Sequence, residues 1–276
     1  MRAFLKYLVC YFRCAARSAT LPLVVLSTAQ AADPQHVEMR FEMFGIAGVH
    51  VATNTTILDE TSDRYKITLD VESIGVTSMF INLTSHSEVT GVFANNVVRP
   101  QSYVGEVRRN GAVTDNRVQY ARDGRVTGAS TSPVGTRVPA TEAEMQGTVD
   151  QLTALFMIER QLAKQDSCSL IVKVFDGLRR YDLHFTNVSA EELEVSVERT
   201  FPGATHVCHM QRVAIAGFPN SDGRTEGAYE GKIWFASLLR GNLMIPVQME
   251  FNTEFGKVTG RLADLRAPGV HLQFGK

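Results

Sequence analysis

The chain has 276 residues, with 28 Lys+Arg against 29 Asp+Glu and a formal net charge of -1. So near-neutral a balance carries no electrostatic footprint for nucleic acid, and no nucleic-acid partner is expected. Past the N-terminus no stretch approaches the roughly 18 consecutive apolar residues of a membrane-spanning helix, so none is expected in the mature chain. The length suits one large β domain or two small ones, with ample material for a core.

The N-terminus reads as an export signal. Arg2, Lys6, Arg13 and Arg17 are basic, no acid precedes Asp33, Leu21 to Leu26 is a short apolar core, and Ala29-Gln30-Ala31 is a small-residue processing site. Removal of residues 1–31 is expected, leaving 32–276 as a single β domain. A retained N-terminus resting on a membrane is the alternative. No cysteine stands at the cleavage point, so a soluble periplasmic product is expected and not a lipoprotein.

From His36 to Phe44, Val37, Met39, Phe41 and Met43 alternate with polar residues, which predicts a half-buried strand. Val49 to Leu58 pairs back after a glycine-rich turn. Tyr65 to Val71 alternates again. Met79 to Val92, Gln101 to Arg109 and Val113 to Ala121 continue a meander of hairpins, with an Asn110-Gly111 turn between the last two. A long helix at Ser73 to Leu83 is disfavoured by Gly75, Val76 and Thr77. Gly128 to Ala140, with Pro133, Gly135 and Pro139, reads as a surface connection.

The principal helix is expected from about Val149 to Lys164, capped by Thr148. Leu152, Leu155, Phe156 and Leu162 fall at helical spacing and could bury against a sheet. Ser169 to Val197 then reads as three consecutive antiparallel strands, turning at Asp176-Gly177 and ending on Leu193, Val195 and Val197. His206 to Gly217, Tyr229 to Phe235, Ile245 to Phe251 and Lys257 to Leu265 are further strands, with a turn-rich tip at Asn220 to Gly223 and a loose tail after Pro268.

Chemistry is sparse. No G-x-S-x-G elbow, phosphate loop or H-E-x-x-H pair occurs, so no catalytic residue is assigned, and no metal or cofactor is expected. Cys168 and Cys208 are the cysteines left after signal removal. In an exported protein the simplest reading of such a pair is a disulfide. Free thiols are an alternative, as is metal binding with the flanking His206 and His209. Arg179 and Arg180, near Asp176 and Asp182, could hold an anionic ligand or partner; a solvated rim is the plainer reading. Phe156, Phe185, Trp234, Met249 and Phe251 could line an apolar groove between helix and sheet, or simply pack the core.

Four segments together carry a resemblance: Asp150 to Phe156 (DQLTALF), Val174 to Phe185 (VFDGLRRYDLHF), Gly217-Phe218 after Cys208, and Ile245 to Leu262. In these the chain resembles the DUF3108 family of exported bacterial proteins, which has no assigned activity. The resemblance spans most of the mature chain and supplies no catalytic residues to carry over. It implies a mainly β fold: a single large curved antiparallel sheet, open-barrel or spiral-like, with one principal helix packed against it. The expected role is non-catalytic, in the cell envelope, binding a partner protein or an apolar or lipid ligand. The alternative is a hydrolase of cell-wall or lipid material, which would need His184, His206, Asp182 and the arginine pair to converge.

Overall fold

The two-residue alternation of the sequence becomes strand through most of the chain. The computed structural model describes residues 35–95, 97–133, 137–194, 201–219, 227–241, 243–254 and 256–274. The expected signal lies outside them, as do Val195, Val197 and the tip at Asn220 to Gly223.

Seven strands come first: β1 (Gln35–Phe44), β2 (His50–Glu60), β3 (Arg64–Ser73), β4 (Leu83–Ala94), β5 (Val97–Arg109), β6 (Ala112–Tyr120) and β7 (Val126–Ser132). Between β3 and β4 lies a short helix, α1 (Gly75–Phe80). After β7 come α2 (Glu142–Met145) and α3 (Gln151–Gln165). The second half holds β8 (Leu170–Phe175), β9 (Arg180–Asn187), β10 (Glu191–Leu193) and β11 (Gly203–Ala216). It ends with β12 (Glu230–Ala236), β13 (Ile245–Thr253), β14 (Gly256–Ala267) and β15 (Val270–Gln273).

Among the described residues all strands join one sheet, in the order β7-β6-β5-β4-β3-β2-β1-β14-β13-β12-β11-β9-β8, with β10 beside β11 and β15 beside β14. Its ends, β7 and β8, share no ladder. The expected open-barrel or spiral form is therefore corrected: the sheet is neither closed into a barrel nor strongly curled. The reason lies at the β8 edge. Val149 bridges to Val174, donating its N–H to the Lys173 carbonyl and accepting from the Phe175 N–H, each at 2.9 Å. Edge groups that a closing strand would use are taken by the segment leading into α3.

Three smaller expectations also change. β8 and β9 pair as expected, but β10 pairs with β11, because β11 already occupies the free edge of β9 with Met210 opposite Phe185. The supposed connection at Gly128 begins as strand: Thr131 stands opposite Asn116 and its Oγ1 donates to Asn116 Oδ1 at 2.7 Å. The tail adds β15, with Leu272 opposite Leu265.

α3 crosses the sheet and buries Leu152, Ala154, Phe156, Ile158 and Leu162. Its cap is Asp150, two residues later than Thr148, whose hydroxyl instead donates to the Met145 carbonyl at 2.7 Å. Beyond the helix, Cys168 and Cys208 form a disulfide with their Cα atoms 5.5 Å apart. The bridge ties the start of β8 to β11, across a sequence separation of 40. A closure of that length typically stabilises by about 2–4 kcal/mol.

Candidate functional site

The side of the sheet that faces α3 is densely filled beneath the start of the helix. Asp150 is fully buried there. Its Oδ1 accepts from the Thr153 N–H at 2.9 Å and its Oδ2 from the Thr153 hydroxyl at 2.6 Å. That hydroxyl is 2.9 Å from Tyr65 OH, which must donate because the threonine proton is already directed at Asp150. Burial pushes the Asp150 carboxyl up to about 6, held down from a larger rise by the bonds from Thr153. Next to this network Tyr65, Phe93 and Phe156 form an aromatic cluster, with Arg160 4.6 Å above the Phe93 ring and ion-paired to Glu60.

Farther along the helix the filling stops. A cavity of about 120 Å³ lies between α3 and strands β1, β2, β3, β12 and β13. Its walls are largely apolar, including Leu155, Phe156, Ile233, Met249 and Phe251. Three polar residues interrupt them: Asn54, Thr56 and Glu159. Thr56 Oγ1 donates to Asn54 Oδ1 at 3.2 Å, so those two satisfy one another in part. Among the described residues the Glu159 carboxyl has no hydrogen bond or ion pair. Glu159 keeps part of its surface accessible, yet carbon surrounds it, and desolvation alone pushes its carboxyl up to about 8. The cavity is not sealed, since Leu155 beside it is 37% exposed.

Sequence reasoning placed Phe156, Met249 and Phe251 at a groove under the helix, and the structure brings all three to this cavity. Phe185 is buried in the neighbouring core and does not line it. Trp234 does not line it either. Side chains alternate along a strand, and Ile233 and Phe235 take the cavity side of β12. Trp234 therefore lies on the other face, where its Nε1 donates to Glu191 Oε2 at 2.8 Å. Glu159 was missed because, read at helical spacing, one acid among apolar residues looks like the wet edge of an amphipathic helix.

Arg179 and Arg180 are engaged within the chain. Asp176 is 1% exposed; its Oδ1 accepts from the N–H groups of Leu178 and Arg179, and its Oδ2 from Arg179 Nε at 2.8 Å. Arg180 is buried and donates to the Glu144 carbonyl and to Asp182 Oδ1. The turn they form is wedged between neighbours. A Cβ on Gly177 would stand 3.1 Å from the Arg117 nitrogen, and one on Gly217 only 2.0 Å from the Leu178 carbonyl oxygen. Both glycines also have positive φ, so these positions exclude side chains by space and by backbone alike. His206 pairs with Asp166 and His209 with Glu230. None of His184, His206, Asp182 or the arginine pair lines the cavity. Among the described residues no cluster of three or more His, Cys, Asp or Glu could hold a metal.

The match to a known family is extensive. The DUF3108 family, described as "Protein of unknown function (DUF3108)", matches residues 38–263. The chain belongs to the DUF3108 family. Its members are exported bacterial proteins, in agreement with the signal-like N-terminus of this one. No curated protein matches the chain. Among solved structures, the crystal structure of a beta-barrel-like protein of the domain of unknown function DUF1849, from Brucella abortus, is similar. It has 8% identity and a TM-score of 0.47 over 84% of this chain and 97% of that one. No described helix of this DUF3108 protein is long and apolar enough to cross a membrane.

Proposed function

We propose that this DUF3108 protein is a non-catalytic periplasmic component of the cell envelope that takes an apolar ligand, the end of a lipid chain, into the cavity beneath α3. The observation that carries this reading is an unsealed apolar cavity with an unpartnered carboxyl in its wall. Ligand pockets combine apolar walls with a few polar groups that fix orientation. At about 120 Å³ the space is close to the ~150 Å³ of engineered cavities that admit a benzene ring, so it suits a chain end and not a whole lipid. A protonated Glu159 can donate to an ester or hydroxyl oxygen beside that chain. The hydrolase alternative is set aside because Arg179, Arg180, Asp182 and His206 are held in ion pairs, and neither they nor His184 line the cavity.

The test is native mass spectrometry of protein recovered from the envelope. Wild type should carry a lipid-sized mass, and Leu69→Trp, which fills the cavity from β3, should lose it while keeping its melting temperature. A ligand-free wild type, or an adduct indifferent to Leu69→Trp, would overturn the reading.

A further inference from the structure

Of the residues that wall the cavity beneath α3, Glu159 is the one that can carry a charge. Its neighbours one helical turn away, Leu155, Phe156, Leu162 and Ala163, are apolar. Strands β1, β2, β3, β12 and β13 face it across the space, and every residue they place in the wall is apolar or an uncharged amide or alcohol. Arg40, Lys66, Lys232 and Glu250 alternate with lining residues along those strands and project from the other face. The remaining charged or titratable groups around these elements lie outside the wall. Glu60, at the end of β2, is held by Arg160 at 2.7 Å. The Tyr65 hydroxyl is at Thr153, and His50, past the bulge at the other end of β2, stacks on Phe44. The segment after β12 also touches the helix, where the Met244 N–H donates to the Glu159 carbonyl at 3.3 Å; its Arg240 is exposed and does not line the cavity.

A lone carboxyl in such a wall has two states with opposite consequences for a ligand. Ionised, it needs water, which reaches it through the open side beside Leu155. A chain seated in the cavity excludes that water, and no cation in the wall takes its place, so ligand and charge compete. Protonated, it is an O–H donor in apolar surroundings. Asn54 and Thr56 already satisfy one another in part, and a donor left without an acceptor costs free energy. An oxygen on the ligand removes that cost. Desolvation takes the carboxyl up to about 8, so near neutral pH the donor is the state the cavity presents.

Resting on the reading of this cavity as the site of an apolar ligand, we infer that Glu159 selects that ligand and links its binding to a proton: the cavity takes a chain end bearing a neutral oxygen, of a hydroxyl or an ester, as acceptor for the protonated carboxyl, and releases it when the carboxyl ionises. Each ligand bound then keeps one proton on Glu159. Affinity is full while the free protein holds that proton and falls as pH rises past the point where it is lost, by up to tenfold per pH unit. Apolar walls alone discriminate weakly between chains of equal length, whereas a buried polar group rejects the chain that leaves it unpaired.

The test uses hexan-1-ol and hexane, probes of about the size the space admits, titrated by NMR into purified protein stripped of bound lipid. Leu69→Trp, which fills the cavity, should lose both. The preference for hexan-1-ol over hexane at about pH 6 should fall roughly tenfold in Glu159→Leu, which has no donor, and change little in Glu159→Gln, which keeps one. Wild type should bind hexan-1-ol roughly tenfold more weakly at about pH 9 than at about pH 6. Glu159→Gln cannot ionise and should bind equally at both. An alcohol preference unchanged in Glu159→Leu, or a wild-type affinity that is flat with pH, would overturn the inference; the cavity reading would stand if hexane binding is still lost in Leu69→Trp. Wild type that binds neither probe, or probes that bind Leu69→Trp as well as wild type, would overturn both.

Discussion

Asp150 and Glu159 lie at the start and in the middle of one helix, and both carboxyls are withdrawn from water, but they are treated differently. Asp150 receives two bonds from Thr153 and caps the helix, and its pKa rises only to about 6. Glu159 receives nothing from the described residues, and desolvation alone takes it to about 8. The difference separates an acid that holds the fold from one that the fold leaves available. A buried polar group without a partner costs stability, so its retention points to a use outside folding. The same division runs through the packing. Around Asp150 the space is filled by Tyr65, Phe93 and Phe156, and beside Glu159 it is hollow.

The boundary between the filled and hollow regions is Phe156, which packs on Tyr65 and Phe93 and also lines the cavity. Phe156→Ala would join the two regions. It should lower stability by about 3–5 kcal/mol, read from the denaturant midpoint, since the lost aromatic surface and the enlarged void add together. A loss well under that range would mean that the region collapses to fill the gap and that the division is not rigid. Next in size is the cap. Asp150→Ala should cost about 1–2 kcal/mol by orphaning the Thr153 N–H at the helix start. Asp150→Asn keeps an acceptor for that N–H and should cost less in the same unfolding measurement. If the two substitutions cost the same, the carboxylate has a role beyond capping.

The filled region was largely legible in the sequence and the hollow one was not. Strand alternation from Val37 to Met43 and helical spacing from Leu152 to Leu162 identify which side chains turn inward, because each pattern has a fixed period. Cys168 and Cys208 could be paired because nothing else remained to pair them in an exported chain. What periodicity does not encode is whether inward-facing side chains meet. Met249 and Phe251 face α3 as expected, yet they leave a gap, and a gap is a property of three elements at once. Trp234 shows the converse. It looked like a groove residue by size, but its neighbours Ile233 and Phe235 decide the facing, and β10 supplies Glu191 for its indole. The arginine pair was legible as a turn and illegible as a wedge, since the neighbours it is packed against come from β6, α2 and the end of β11.

The smallest expected effect is the most specific to the comparison. Both acids have folded pKa values above their ordinary ones, so the folded state holds a proton that the unfolded state has released. Stability is then fully present at low pH and is lost as pH rises, between 3.8 and about 6 for Asp150 and between 4.5 and about 8 for Glu159. The windows overlap at the bottom and separate at the top, and any fall in stability between pH 6 and 8 that these two acids cause belongs to Glu159. Glu159→Gln cannot ionise. It should stabilise the protein at pH 8 by roughly 1 kcal/mol, a figure reduced for the partial solvent access of that side chain. It should have little effect near pH 4, where the glutamate is already neutral. Urea unfolding across that range reads the slope directly. Glu159→Gln should flatten the limb from pH 6 to 8 and leave, at lower pH, only the part of the slope that Asp150 supplies. Persistence of the upper limb in the variant would show that Glu159 is solvated like any surface acid, and the contrast between the two carboxyls would fail at the residue on which the cavity reading depends.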